Sequence, residues 1–312
     1  MTLSVLVTGA SGFIGSHLAR ALVDEGHDVR AMTRRPDDYS GAGSPVAGDV
    51  FADDGLAEAL AGVDVAYYLV HSLDSDDFEA QDAKAARAFS RAAADAGVRQ
   101  IIYLGGLGVE SGDGADLSPH LRSRREVEKL LASDGVPVTA LRAAVVVGHL
   151  GVSWEITRQL IKAMPLMVAP GWVSTRTQPI GLSDVIRYLV GVLDHPDALG
   201  RSFDVGGPDV LTYEQMLRRA SEVQHGRDVP VVAMPAVKGL GSTGLAADFA
   251  SFGLSLITDV DAATARNLIA SMETEVVVTE TSIREVVPFE PMGYDDMVRA
   301  ALSARLAEGL TL

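Results

Sequence analysis

The sequence predicts an α/β fold, a doubly wound parallel sheet with a smaller C-terminal lobe. Over the first half of the chain, apolar segments of strand length alternate with amphipathic segments of helix length. This alternation is typical of a parallel sheet that helices cover on both faces. The predicted strands are Leu3–Thr8, Asp28–Thr33, Pro45–Ala47, Asp64–Val70, Gln100–Leu104 and Pro137–Arg142. The predicted helices cover residues 12–25, 54–61, 77–96 and 121–132.

The pattern changes after about residue 148, where tryptophan, methionine, proline and glycine residues mix. No clear period is present in residues 235–258, which are rich in glycine, alanine and serine. The helix predicted over residues 183–194 has Ser183 or Asp184 as its expected cap. Further helices are predicted over residues 212–224 and 293–308, and strands over residues 203–205 and 275–279. We therefore predict a sheet domain over residues 1–150 and a lobe over residues 151–312 that is interleaved with the end of the sheet.

The composition limits the classes of function. The 312 residues are 47% hydrophobic, and 42 acidic against 26 basic residues give a net charge of −16. An acidic surface repels nucleic-acid backbones and anionic lipid, so we expect neither nucleic acid nor a membrane as a partner. The chain has no cysteine, which excludes disulfides and thiolate metal sites, and its histidines show no metal-ligand spacing. No apolar run reaches the ~18 residues that span a bilayer, and we expect a soluble, cytoplasmic protein.

A glycine motif directly follows the first predicted strand. Three glycines stand three residues apart in TGASGFIG, and apolar residues at helical spacing follow them. A strand, a tight glycine turn and a helix start form the phosphate-binding turn of a Rossmann dinucleotide domain, in which the diphosphate approaches free N–H groups of the helix. The alternative is an ordinary connection rich in small residues. The predicted cofactor-binding residues of this turn are Gly9, Ser11, Gly12, Phe13, Ile14 and Gly15.

The end of the second strand predicts which nucleotide binds. An Asp or Glu at this point hydrogen-bonds a free ribose 2′-hydroxyl, whereas a 2′-phosphate requires a cation. Here the strand ends AMTRRPDD, so that Arg34 and Arg35 occupy the recognition turn. Because guanidinium groups bind phosphate bidentately, we predict that NADP(H) is preferred over NAD(H). The alternative is a pair of solvated arginines on a surface turn.

Three further segments complete the predicted cofactor site, because the carboxyl ends of parallel strands meet at one edge of a sheet. The triplet GDV after the third strand is expected beside the adenine. The end of the fourth strand, YYLVH, is expected along the nicotinamide ribose and the diphosphate, and the end of the fifth strand lies beside it. For Asp49, the alternative is a side chain that caps a turn. The residues predicted to contact the cofactor here are Asp49, Val50, Leu69, Val70, His71 and Gly105.

These segments resemble the short-chain dehydrogenase/reductase superfamily. TGASGFIG resembles the glycine motif of its extended and atypical branches, and GDV, YYLV and IIYLGG follow in the expected order. SPHLRSRREVE, ALRAAVVVG, PGWVSTRTQPI and FDVGGPDVLTYEQM resemble one atypical branch more closely, that of NAD(P)H-binding, NmrA-like and nucleoside-diphosphate-sugar-epimerase-like proteins. The resemblance covers residues 3–225. It implies a nicotinamide cofactor, a small-molecule substrate and a possible homodimer formed through helices 77–96 and 119–132.

The catalytic groups typical of the superfamily are missing. Its usual members place Tyr-x-x-x-Lys on the helix after the fifth strand and a Ser or Thr at the end of that strand. Aligning this helix by Glu128 places His120 at the tyrosine position and Arg124 at the lysine position, and a glycine at the hydroxyl position. An imidazole titrates near pH 6.5 and can act as a general acid, whereas Arg124 stays charged and is expected to hold a ribose or a phosphate. The alternative is that His120 merely begins a helix whose arginines are solvated.

We therefore predict an NADPH-dependent oxidoreductase in which His120 or a bound water supplies a proton. Its expected substrate is a small, largely uncharged carbonyl, enone or quinone-like compound, because the C-terminal lobe is apolar. The missing Tyr, Lys and Ser also fit a second hypothesis, a non-catalytic redox sensor that binds NADP(H). A third is an epimerase or dehydratase with a tightly bound cofactor, which is less consistent because such relatives retain the tyrosine and lysine.

Overall fold

A parallel sheet of seven strands forms the centre of the computed structural model, which describes residues 1–72, 77–108, 117–163, 167–169, 171–228, 231–233 and 271–311. All neighbouring strands of this sheet are parallel, in the order β11-β6-β5-β4-β1-β2-β3. The strands are β1 (Ser4–Thr8), β2 (Asp28–Thr33), β3 (Ser44–Ala47), β4 (Val65–Tyr68), β5 (Gln100–Gly106), β6 (Val138–Ala143) and β11 (Ser202–Val205). The predicted doubly wound α/β fold is confirmed.

Helices cover both faces of the sheet. On one face, Leu18 and Leu22 of the first helix pack in a common core with Tyr188 of the sixth. On the other face, Phe89 and Leu131 belong to a second core. The helices of the sheet domain are α1 (Phe13–Asp24), α2 (Leu56–Leu60), α3 (Phe78–Asp95), α4 (Pro119–Leu131) and α6 (Leu182–Gly191). The sheet is therefore buried on both sides, as a parallel sheet requires.

The C-terminal elements form a third core around Trp154, Tyr213 and Tyr294. The helices of this core are α5 (Val152–Ala163), α7 (Tyr213–His225) and α9 (Tyr294–Ala307), whereas α8 (Ile283–Val286) packs in the first core with α1 and α6. Short strands accompany them: β7 (Val146–Val147) pairs with β10 (Ile180–Gly181), β9 (Arg176–Thr177) with β12 (Leu211–Thr212), and β8 (Met167–Ala169) with β13 (Val231–Ala233). The division at residue 150 stays a prediction. None of the described helices is long and apolar enough to cross a bilayer.

Two predictions in the second half of the chain are wrong. Residues 275–279 do not form a strand, because only Val276 makes a bridge, to Thr177. The next N–H groups are bound by side chains instead: Val278 N donates to Gln178 Oε1 at 3.0 Å and Thr279 N to Asp204 Oδ2 at 3.0 Å. Helix α6 begins at Leu182 with Gly181 as a cap that has no side chain, so Ser183 and Asp184 lie in its first turn. The unassigned stretch 235–258 lies outside the described residues.

The strand order locates the site. The chain runs outward from β1 to β3 and then returns to continue on the other side of β1 with β4, β5 and β6. In open sheets of this kind, ligands bind beyond the carboxyl ends of the strands where the order reverses, here between β1 and β4. The loops that follow β1, β4 and β5 therefore border the candidate site.

Candidate cofactor and active site

The glycine turn after β1 requires glycine at its first and third positions. Gly9 has a φ of +64°, which favours glycine, and its carbonyl accepts the N–H of Gly12 at 2.9 Å. A Cβ on Gly15 would lie 2.2 Å from the Gly9 carbonyl oxygen and 2.8 Å from its carbon, both backbone atoms. The backbone of the glycine turn thus packs directly against the first turn of α1, as the sequence motif predicts.

Helix α1 begins without a side-chain cap. Its N-cap, Gly12, is extended, and no side chain accepts a hydrogen bond from the first turn. The N–H groups of Phe13, Ile14 and Gly15 have no intrahelical acceptor at this position, and Ser11 beside them is exposed. Uncapped N–H groups and the positive end of the helix dipole suit an anion, so the residues here fit the diphosphate of a dinucleotide.

Two exposed arginines follow β2. Arg34 and Arg35 precede a single 3₁₀ turn, Pro36–Asp38, and the Arg35 N–H donates to Thr33 Oγ1 at 3.3 Å. Their guanidinium groups make no hydrogen bond or ion pair with any residue that the structure describes. Both cations are therefore available to a ligand at the place where a dinucleotide fold reads the ribose.

Asp49 and Val50 have structural roles of their own. Asp49 Oδ1 accepts the N–H groups of Phe51 at 2.9 Å and Ala52 at 3.4 Å, so its side chain closes the turn after β3. Val50 is buried in the core under α2 and α3. Contact of these two residues with adenine stays a prediction. The alternative stated for Asp49, a side chain that caps a turn, agrees with its hydrogen bonds.

The loop after β4 lies against the glycine turn. Leu69 N donates to the buried Thr8 Oγ1 at 2.9 Å, which ties this loop to the end of β1. Val70 Cγ1 lies 3.1 Å from the ideal Cβ position of Gly9. The predicted cofactor residues Leu69 and Val70 are therefore brought to the glycine turn, and His71 follows them in the chain.

The end of β5 and the start of α4 meet through glycine. A Cβ on Gly106 would lie 2.8 Å from Leu121 Cδ2 and 3.5 Å from Arg124 Cγ. The stem of Arg124 thus passes over the position where the superfamily carries a hydroxyl. Gly105 precedes it in the strand, and its own Cβ would meet the ring of Tyr103 at 2.8 Å. The two positions at which the superfamily would carry its Ser or Thr hydroxyl are therefore both glycine, as the sequence alignment indicates.

His120 and Arg124 are one turn apart on α4, so they lie on the same helix face. Burial and the charge of Arg124 lower the pKa of His120 to about 3. The expectation that this imidazole titrates near pH 6.5 is therefore wrong, because the half-buried ring is neutral at physiological pH. A neutral imidazole still offers one N–H donor.

His71 belongs to the same cluster. The surrounding protein desolvates its ring, and together with the charges of Arg124 and His120 this lowers the pKa of His71 well below 6.5. Asp82 hydrogen-bonds both Ser72, next to His71, and Ser123, next to Arg124, and the stem of Arg124 lies over Gly106 at the end of β5. The segments that carry His71, His120 and Arg124 therefore meet beyond the ends of β4 and β5. We call these three residues the polar cluster.

Asp82, a carboxyl buried on α3, is a site residue that lies outside the sequence motifs. Its Oδ1 accepts the Ser72 N–H at 2.8 Å and its Oδ2 accepts the Ser123 hydroxyl at 3.0 Å. Ser72 directly follows His71, and Ser123 directly precedes Arg124, so Asp82 joins the two segments that hold the polar cluster. One signal for it is present in the sequence: Asp82 lies on the mainly apolar face that Phe78 begins, and buried carboxylates require partners.

A second carboxylate fastens α4 to the sheet. The carboxylate of Glu128 accepts three hydrogen bonds. Arg142 of β6 donates two of them, from Nε at 2.9 Å and from Nη2 at 2.5 Å, and the Ser202 hydroxyl of β11 donates the third at 2.6 Å. Burial alone would raise the pKa of Glu128, but the hydrogen bonds from Arg142 and Ser202 and the charges of Arg142 and Arg125 hold that pKa below its usual value. The network holds α4 in place on the sheet edge.

We expect Glu128→Gln to lower the free energy of unfolding at pH 7 by about 1–3 kcal/mol, the usual contribution of a charged hydrogen-bonded group. Because the folded-state pKa is depressed, this stability is present above the unfolded pKa of 4.5 and is lost as the pH falls through the folded value. The difference between wild type and variant should therefore shrink on acidification. Urea unfolding at several pH values measures it, and Glu126→Gln, an exposed neighbour on α4, is the matched control. A difference that stays constant with pH would contradict the expectation.

Comparison with known proteins gives the family. Residues 9–161 match the family model described as NAD(P)H-binding. A (4-alkanoyl-5-oxo-2,5-dihydrofuran-3-yl)methyl phosphate reductase of Streptomyces griseus subsp. griseus is 30% identical over 222 residues, which are 70% of this chain and 73% of that protein. The chain belongs to the NAD(P)H-binding family, in the extended and atypical part of the short-chain dehydrogenase/reductase superfamily.

Two solved structures share the whole fold. A nucleoside-diphosphate-sugar epimerase from Staphylococcus aureus superposes with a TM-score of 0.74 at 16% identity, covering 96% of this chain and 100% of its own. The Citrobacter sp. triphenylmethane reductase complexed with NADP(H) has a TM-score of 0.73 at 16% identity, with the same coverage. At such identities the likeness shows the fold alone. The family model and the reductase relative support an NAD(P)H-binding oxidoreductase of the short-chain dehydrogenase/reductase kind.

Proposed function

We propose that this protein is an NADPH-dependent reductase of a small substrate with a carbonyl, enone or quinone-like group. One observation carries the proposal: the polar cluster and the glycine turn lie at the same edge of the sheet, beyond β1, β4 and β5. A dinucleotide bound at the turn would extend towards the cluster, which offers hydrogen-bond donors where a reducible group is needed.

The relatives support both parts of the proposal. The Streptomyces relative is by its name a reductase of an oxo-dihydrofuran with an alkanoyl group, an electron-poor ring system of the proposed class. The Citrobacter reductase is complexed with NADP(H). In this chain, Arg34 and Arg35 have no side-chain partner among the described residues and are suited to the 2′-phosphate that distinguishes NADP(H) from NAD(H).

The mechanism assigns separate tasks to the chain's residues. The nicotinamide ring, when bound, supplies the hydride. The uncapped N–H groups of Phe13, Ile14 and Gly15 hold the diphosphate. The neutral imidazole of His120 donates a hydrogen bond from its N–H to the substrate oxygen, which gains negative charge during reduction, and a water molecule supplies the proton that completes the hydroxyl. Neutral histidine performs this electrophilic role in other enzymes, where it polarises a carbonyl without being an imidazolium.

The test is consumption of NADPH in the presence of an aldehyde, a cyclic enone or a quinone. We expect turnover with at least one of them, and a loss of about 10²-fold or more in kcat for His120→Ala. Because the pKa of His120 is about 3, the kcat profile between pH 5 and 8 should show no break from this residue. Binding of NADPH without oxidation by any of the three would favour the redox sensor instead. Full turnover in His120→Ala would remove His120 from the mechanism.

The cofactor preference has its own prediction. We expect Arg34→Ala to weaken NADPH binding by about tenfold or more, because a charged hydrogen bond contributes about 1.5–3 kcal/mol, and to leave NADH binding nearly unchanged. Titration calorimetry with both nucleotides measures the two affinities. Arg91→Ala is the control: it removes an exposed arginine that lies on α3, away from β2, and should change the affinity for neither nucleotide. Equal affinities of the wild type for NADPH and NADH would contradict the preference.

A further inference from the structure

The three arginines of α4 differ in their partners. Arg122 donates to the Leu117 carbonyl at 3.0 Å and pairs with Glu79 at 3.5 Å. Arg125 donates to the Gly108 carbonyl at 2.7 Å and approaches Glu128 at 3.9 Å. Across the described part of the chain, the half-buried side chain of Arg124 makes no ion pair, and it meets the neutral hydroxyl of Tyr103 instead of a carboxylate. Arg124 is thus the arginine of this helix whose charge is left uncompensated.

The carboxylates near Arg124 are already engaged. Burial raises the pKa of the Asp82 carboxyl, and the nearby charge of Arg124 opposes this effect only in part. Its two oxygens, however, accept from Ser72 and Ser123. Glu128, one turn further along the helix, is held by Arg142 and Ser202. A partly desolvated cation without a close anion is costly, and no carboxylate among the described residues forms an ion pair with Arg124.

The other groups that face Arg124 add donors rather than negative charge. His71 and His120 are kept neutral by burial and by Arg124 itself. Tyr68 of β4 and Tyr103 of β5 also lie near the charge of Arg124. Burial raises the pKa of both hydroxyls, so they stay protonated. The carboxyl groups that α3 and α4 bring near Arg124 are those of Asp82 and Glu128, and both already accept hydrogen bonds from other residues.

We propose that Arg124, with His71 and His120, binds an oxyanion group, a phosphate or a carboxylate, that the substrate itself carries. One guanidinium and two neutral N–H donors suit such a group, because charge-assisted hydrogen bonds to guanidinium are strong and directional. The proposal rests on the proposed function, since it assigns a substrate class to the same site, and it departs from the expectation of a largely uncharged substrate.

Two features favour a substrate anion over the cofactor ribose as the ligand of Arg124. Ribose hydroxyls are neutral, so they would leave the charge of the guanidinium uncompensated. The whole chain has a net charge of −16, and its general field repels anions. A local cation that pairs with none of the described carboxylates is therefore a specific feature of this site.

The experiment titrates inorganic phosphate, and separately acetate, into protein saturated with NADP⁺, so that the glycine turn is already filled. Calorimetry gives the affinity, and NMR of ring-labelled histidine reports His71 and His120. We expect saturable binding of at least one anion, shifts of both histidine signals, and binding weaker by about tenfold or more in Arg124→Gln. Arg122→Gln, on the same helix, is the matched control and should bind the anion as the wild type does. Arg124→Lys should restore part of the affinity.

The outcomes separate this inference from the proposed function. Anion binding that is the same in Arg124→Gln and wild type would overturn the inference, as would histidine signals that do not move in the wild type, a result independent of any variant. A loss of NADP⁺ affinity in Arg124→Gln with anion affinity unchanged would assign Arg124 to the cofactor and also overturn it. If the wild type fails to bind NADP⁺, the proposed function fails, and the comparison of wild type with Arg124→Gln in cofactor-free protein then decides the anion site alone.

Discussion

Replacement of Gly15 by valine is expected to abolish measurable binding of NADPH. The new Cβ would stand 2.2 Å from the Gly9 oxygen and 3.0 Å from Ala10 Cα, and neither backbone atom can move away as a flexible side chain would. The turn must therefore open, which displaces the N–H groups that face the diphosphate. Loss of two charge-assisted hydrogen bonds at about 1.5–3 kcal/mol each corresponds to at least about 100-fold in affinity. Titration calorimetry measures the change.

A second glycine separates this steric effect from a general loss of stability. Gly135 precedes β6 with a φ of +87°, and nothing lies within 4 Å of its ideal Cβ position. Gly135→Ala should therefore cost about 1 kcal/mol in backbone strain and leave NADPH affinity unchanged. Thermal unfolding of both variants shows whether Gly15→Val is still folded. A folded Gly15→Val protein that binds NADPH as tightly as wild type would show that the cofactor diphosphate lies elsewhere.

The features that the sequence predicts well are those encoded locally. Strand–turn–helix order, the spacing of Gly9, Gly12 and Gly15, and the apolar runs of β1 and β4 each depend on neighbours in the chain. The parallel sheet follows, because alternating strands and helices have few ways to cover both faces. Residues 275–279 show the limit of such patterns, because their valines predict a strand that does not form. The side chains of Gln178 and Asp204, which are distant in sequence, accept backbone N–H groups that would otherwise pair with a neighbouring strand.

The chemistry of the polar cluster depends on contacts that no local pattern contains. The sequence places His120 and Arg124 one turn apart, and this spacing suggests a titrating acid beside a cation. In the folded protein, desolvation and the charge of Arg124 make that imidazole neutral. Whether an arginine is paired is likewise a tertiary property, since Arg122, Arg124 and Arg125 are equivalent in sequence and differ only in the carbonyls and carboxylates near them.

Asp82 is the residue on which the geometry of the cluster depends most. We expect Asp82→Ala to lower the free energy of unfolding by about 2–4 kcal/mol, because it removes the acceptor of the Ser72 N–H and of the Ser123 hydroxyl and each lost acceptor costs about 1–3 kcal/mol when buried. Ser72 and Ser123 are 7% and 4% exposed, so water cannot readily replace the carboxylate. Urea unfolding followed by circular dichroism gives this free energy.

Asp82→Asn distinguishes the hydrogen bonds from the charge. The amide oxygen still accepts the Ser72 N–H, and the amide N–H₂ can donate to Ser123 Oγ, so we expect most of the stability to return. Burial raises the pKa of Asp82 above 3.8, so ionisation weakens the fold: relative to Asp82→Asn, the wild type should lose stability as the pH rises through the raised folded value. The positioning role predicts that kcat falls further than NADPH affinity in Asp82→Ala and recovers in Asp82→Asn. If both variants lose stability and activity equally, the carboxylate charge rather than the two hydrogen bonds holds the cluster together.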